Sequence, residues 1–171
     1  MEYLIIDGYN IINAWRDIFK PGLDTLEDSR EKLLNILSNF QGFRKINVIV
    51  VFDAHQVKGS QEKVDFFDNI QVVFTKENET ADYYIERLVY NLGRNRENVV
   101  RVVTLDYLEQ TTVLNSGGVR VTPKELRAEI EKHTRILRSS ERNKRYLKLN
   151  TLDSNLDTDT IEKLEKLRRG K

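Results

Sequence analysis

The sequence predicts an α/β fold with a mostly parallel central sheet flanked by helices. Short runs rich in Val and Ile alternate with longer segments whose apolar residues recur at helical spacing. Residues 46–52 are almost unbroken Val and Ile, as in a strand covered by protein on both faces. Aspartates also stand just beyond several of the apolar runs, where an open parallel sheet places its ligands.

Taken in order, residues 3–6 form the first strand, and a turn at Gly8 leads into a helix through Ile11, Ile12, Trp15 and Ile18 that ends near Pro21-Gly22. A second helix runs from about Thr25 to Phe40, with its apolar stripe at Leu33, Leu34, Ile36, Leu37 and Phe40. The second strand is residues 46–52. Residues 54–68 are polar and weakly periodic, which predicts a loop bordering any ligand held beyond Asp53. The third strand is residues 70–74, and Thr80 is placed to cap a helix reaching about Leu92. Residues 99–104 form the fourth strand, and a short helix is expected over 107–114. A brief strand at 119–121 comes before Thr122-Pro123, a helix start with Glu125 at the capping-box position. That helix is expected to end near Leu137. Residues 139–156, rich in Ser, Asn and charge, read as a basic tether to a last short helix around Ile161, Leu164 and Leu167.

Composition narrows the chemistry. The 171 residues include no cysteine and only two histidines, which removes disulfides, thiolate zinc sites, a cysteine nucleophile and most histidine metal cages. No apolar stretch is long enough to span a membrane, and the opening segment lacks the pattern of a signal peptide, so a cytoplasmic protein without membrane contact is expected. The net charge of +1 conceals a strong asymmetry. Residues 1–134 carry 17 basic and 21 acidic side chains, whereas residues 135–148 carry six basic and one acidic. That cationic run comprises Arg135, Arg138, Arg142, Lys144, Arg145 and Lys148.

The acids at strand ends carry the most information. Asp7 directly follows the first strand, Asp53 directly follows the second, Asp82 falls in the first turn of the helix after the third, and Asp106 lies two residues past the fourth. A single aspartate after a strand is more often a turn former or helix cap than a catalyst. Four of them at corresponding positions would gather at one edge, where carboxylates raise one another's pKa unless a cation intervenes. All-oxygen ligands favour Mg²⁺ or Mn²⁺, ions suited to phosphodiester hydrolysis. The phosphate-binding glycine motifs of dinucleotide and P-loop proteins are missing. A phosphoaspartyl receiver would want adjacent acids after the first strand, and an aspartyl phosphatase an Asp-x-Asp pair; Asp7-Gly8-Tyr9 supplies neither.

The segments LIIDGYNIIN, VIVVFDAH, ETADYYIE and VVTLDYLEQ, in this order and spacing, resemble the NYN domain of the PIN-like nuclease superfamily, and most closely its YacP-like bacterial branch. SGGVRVTPKELRAEIE resembles the continuation of that branch. The resemblance implies a PIN-like/NYN fold over residues 1–138, beyond which residues 139–171 are the basic tether and short C-terminal helix read from composition above. It also implies a metal-dependent ribonuclease site built on Asp7, Asn10, Asp53, Asp82 and Asp106, with Asp7, Asp82 and Asp106 as the metal ligands. A Gram-positive member of the branch acts on mRNA in the ribosomal A site, which implies RNA and the ribosome as partners here. Leu105 departs from the pattern, since many relatives carry a small Ser there.

Two further functions compete with an endoribonuclease. A catalytically weak RNA- or ribosome-binding module would need mainly the basic run at 135–148. A small phosphomonoesterase would need neither RNA nor that run.

Overall fold

The computed structural model describes residues 1–20, 22–54, 61–105 and 118–153, the last thirteen of these as backbone only. The strands are β1 (Glu2–Asp7), β2 (Asn47–Phe52), β3 (Lys63–Phe67), β4 (Ile70–Phe74), β5 (Val99–Val103) and β6 (Val119–Val121). The helices are α1 (Gly8–Ala14), α2 (Leu26–Arg44), α3 (Ala81–Gly93) and α4 (Pro123–Asp153). The six strands lie in the order β3-β4-β2-β1-β5-β6, and every pairing is parallel except β3 with β4.

Side chains alternate across the central strands with period two, so the sheet feeds two cores. Leu4, Ile6, Val48, Val50, Phe52, Ile70 and Val72 face one core, shared with Ile11 of α1, Leu33 and Leu37 of α2, and Leu126 of α4. Ile5, Ile49, Val51, Val73, Val100 and Val102 face the other, closed by Tyr84, Ile85 and Val89 of α3. The unbroken apolar run in β2 follows from this double burial, since both sets of its side chains meet protein.

The chain forms two compact units, Met1–Ile130 and Glu131–Lys171. The first unit holds the whole sheet, and the described part of the second is the remainder of α4.

Four expectations are corrected. The first helix stops at Ala14, well short of Ile18. Trp15 leaves helical geometry, stacks on Phe19 at 6.4 Å and donates its indole N–H to the Pro123 carbonyl, so core packing overrides the helical spacing. The second helix continues to Arg44 and ends at Lys45 in the left-handed region. Residues 63–67, expected as loop, form β3, an edge strand hairpinned to β4 through Asp68, whose φ is +51°. Four of its five residues are exposed, and Lys63 and Asp65 place charge on this sheet edge, which discourages pairing with another chain. Residues 139–153, expected as tether, continue α4 as regular helix. Ser139 and Ser140 return their hydroxyls to the carbonyls of Ile136 and Leu137, satisfying themselves within the helix.

The remaining elements agree with expectation to within a residue or two. Thr80 caps α3 by accepting from the Tyr83 amide. Thr122 and Glu125 form the reciprocal capping box at the start of α4. The helix expected at 107–114 and the last helix at 161–167 lie outside the described residues.

Candidate active site

The strand order creates a switch point beside β1. The chain proceeds from β1 outward through β2 to β4, with α1 and α2 on one face of the sheet. It then crosses by α3 on the opposite face and returns to the other side of β1 as β5. The helices therefore diverge at the carboxyl ends of β1 and β5, leaving the crevice in which open α/β sheets bind ligands.

Asp7 stands at this point as the last residue of β1. Its carboxylate caps α1, with Oδ1 accepting from the Asn10 amide at 3.0 Å. Gly8 permits the tight passage from strand to helix. A Cβ built on it would lie 2.3 Å from the Phe52 ring, so the reason for glycine here is space, since its φ is not in the left-handed region.

Burial raises the Asp7 carboxyl to about 6, against the lowering effect of the Asn10 amide, and the nearby charges of Asp82 and Asp53 push in the same direction as burial. Residues far apart in sequence thus act on one another at a single edge. Asp82 reaches it from the first turn of α3 and is exposed. Asp53 directly follows β2, and that end is pinned by the fully buried Thr75. The Thr75 amide donates to the Phe52 carbonyl at 3.1 Å, and its hydroxyl accepts from the Ala54 amide at 2.9 Å. Nothing local in the sequence singles out Thr75, which reads as an ordinary residue after a strand.

Asn10 does not cap α1; Asp7 does. The Asn10 side chain instead donates from Nδ2 to the Thr104 hydroxyl at 3.5 Å, joining α1 to the end of β5. Thr104 is fully buried just past that strand. Asp106 lies outside the described residues. Among the described residues no three acidic or histidine side chains stand together at ligating distance. Asp7, Asp53 and Asp82 nonetheless offer hard oxygen donors whose mutual repulsion a small divalent cation would relieve, so the donor chemistry fits such an ion.

Of the cationic run, Arg135 and Arg138 are exposed on α4, and Arg135 faces Glu131 one turn away at 3.9 Å. Arg142, Lys144, Arg145 and Lys148 lie where only the helix backbone is described. Elsewhere, Tyr84 is core while Tyr83 and Tyr90 are exposed. The described residues contain no helix long and apolar enough to cross a membrane.

A mostly parallel sheet with acids gathered at its switch point defines a domain of the NYN/PIN-like class. The family model of the YacP-like NYN domain matches residues 4–169, and the chain belongs to that family. It is 40% identical over 131 residues to the uncharacterized protein YacP of Bacillus subtilis (strain 168), covering 77% of this chain and 76% of that one. The crystal structure of Rae1 (YacP) from Bacillus subtilis is similar at 37% identity and a TM-score of 0.69, covering 99% of this chain and 96% of that one. A single-substitution variant of that protein superposes with the same TM-score. NYN and PIN-like domains are generally nucleases and generally use divalent metals.

Proposed function

We propose that this protein is a metal-dependent endoribonuclease that hydrolyses RNA phosphodiesters, with mRNA in the ribosomal A site as its substrate. The observation that carries this reading is the convergence of Asp7, Asp53 and Asp82 at the sheet's switch point, where burial and the neighbouring charges raise the Asp7 carboxyl. Asp7, Asp82 and Asp106 would hold Mg²⁺ or Mn²⁺. A bound ion of this kind lowers the pKa of a coordinated water and offsets charge on the phosphodiester as it reacts. Asp53 orients water at the same edge. Asn10, tied to Thr104, presents a neutral amide that can bind water or a phosphate oxygen without adding negative charge.

Cleavage of RNA, assayed with and without ribosomes, is expected in Mg²⁺ or Mn²⁺ and absent in excess EDTA. Full activity in EDTA would overturn the mechanism. A generic phosphate ester hydrolysed as readily as RNA would favour a phosphomonoesterase instead.

The basic run supplies affinity for RNA, ribosomal RNA above all. As one continuous helix, α4 sets positions 135, 138, 142 and 145 along a single face by the 3.6-residue period, with position 144 on the opposite side. Replacing Arg142, Lys144 and Arg145 together by Gln is expected to weaken RNA or ribosome binding. The salt slope should flatten by about 2 if each contact neutralises one phosphate on a single strand. Unchanged affinity and slope in that variant would remove the run from the binding surface.

A further inference from the structure

We propose that Arg30 is a phosphate-binding residue of the candidate site, gripping the RNA backbone beside the acidic edge. The proposal rests on the nuclease reading above and assigns a cation to a site otherwise built from acids.

Helix α2 runs counter to the parallel strands. Near its end, Arg44 reaches Glu2 at the start of β1 with a separation of 3.2 Å. Arg30 lies fourteen residues earlier, roughly 21 Å along the axis at 1.5 Å per residue, and so at the carboxyl edge. Its contacts agree with that position. Nη1 donates to the Tyr9 hydroxyl at 3.3 Å, and Tyr9 is two residues beyond Asp7. The guanidinium lies 5.5 Å from the ring centre of Phe74, the last residue of β4. Phe74 in turn stacks on Phe52, the last residue of β2, and Tyr9 packs edge-on against Phe52.

What sets Arg30 apart from the other half-buried arginines among the described residues, Arg44, Arg101 and Arg127, is its lack of an anion. Arg44, Arg87, Arg101 and Arg127 are each paired with one or two carboxylates. Among the described residues no carboxylate lies within 4 Å of Arg30, although its neighbourhood is the acidic edge. Its two partners, a phenol and a benzyl ring, are neutral. The half-buried guanidinium is therefore oriented by stacking and one hydrogen bond, leaving donors of its planar fork unused. Such a fork matches two oxygens of a phosphate. The Tyr9 hydroxyl, accepting from Arg30, keeps its own proton to donate. The ligand chemistry that fits is the phosphodiester of a single RNA strand, entering where Asp7, Asp53 and Asp82 alone would repel it.

The test measures binding of a fluorescent unstructured RNA oligonucleotide to the full chain in EDTA, which separates binding from cleavage, over a series of salt concentrations. Arg30→Gln is expected to weaken binding about tenfold, the loss of one charge-assisted contact, and to lower the salt slope by about 0.7. Arg30→Lys keeps the charge but not the fork, so it should retain the slope while losing several-fold in affinity. A merely structural role for Arg30 would lower thermal stability and leave the slope unmoved. Wild-type slope and affinity in Arg30→Gln, with RNA cleavage by the unmutated protein intact, overturns this proposal and leaves the nuclease reading standing. Neither binding nor cleavage by the unmutated protein overturns both. Should Arg30→Gln fail to fold, Arg30→Lys decides: undiminished affinity in it overturns the fork.

Discussion

Asp7→Asn is expected to abolish RNA cleavage while making the metal-free protein more stable at neutral pH. The loss of activity should reach at least about a hundredfold, the scale on which a charge-stabilising group is missed. The gain in stability follows from the direction in which the fold moves the Asp7 pKa. The folded protein holds the carboxyl at about 6, above its ordinary 3.8, so the fold favours the protonated form. The stability associated with that proton is fully present below about pH 4 and is lost as pH rises through 6. Above pH 7 the ionised carboxylate costs roughly 2–3 kcal/mol, since each tenfold change in proton affinity is worth about 1.4 kcal/mol. Asparagine stays neutral throughout and caps helices as well as aspartate does, so the α1 cap survives. Denaturation in EDTA should show the variant ahead at pH 8 and the two proteins converging near pH 4. Adding Mn²⁺ should raise the melting temperature of the unmutated protein and leave the variant unmoved. A variant that melts below the unmutated protein at pH 8 would contradict the burial argument; retained cleavage would contradict the assignment of Asp7.

The second large effect is steric. Gly8→Ala is expected to cost about 3 kcal/mol or more, beyond the middle of the usual range for overpacked cores. The new methyl would meet Phe52 at 2.3 Å and 2.6 Å. That ring is fully buried between Tyr9 and Phe74, so it has no empty space to turn into. Alanine's better helix propensity returns only about 1 kcal/mol, too little to offset the clash. Urea denaturation measures the loss. Adding Phe52→Leu to Gly8→Ala should recover part of it, because the two changes share one volume and will not add. A Gly8→Ala protein of undiminished stability would show that the strand-to-helix turn has slack, and with it the placement of Asp7.

The strands β1, β2, β4, β5 and β6 and the helix α3 were legible from the sequence because their signals are local. Doubly buried strands must be continuous Val and Ile, and Thr80 and Thr122 cap helices by bonds that reach only three residues ahead. The nearness of Asp7, Asp53 and Asp82 was legible too, since parallel strands all present their carboxyl ends to one edge. What depended on partners distant in sequence was not. Trp15 ends α1 because its indole finds Pro123, 108 residues away, and nothing near position 15 announces that bond. β3 reads as loop because its alternation, Lys63-Val64-Asp65-Phe66, is only a few residues long and ends a polar stretch, and it is the antiparallel pairing with β4 that makes it a strand. Thr75 and Arg30 draw their places at the edge from β2 and from Tyr9 and Phe74. The sequence by itself determined the parallel strands of the sheet, their direction and the gathering of acids at one end, since those follow from continuous apolar burial and strand polarity. Only the tertiary structure decided which neutral and cationic groups stand among those acids, because that depends on how α1 and α2 pack across the sheet.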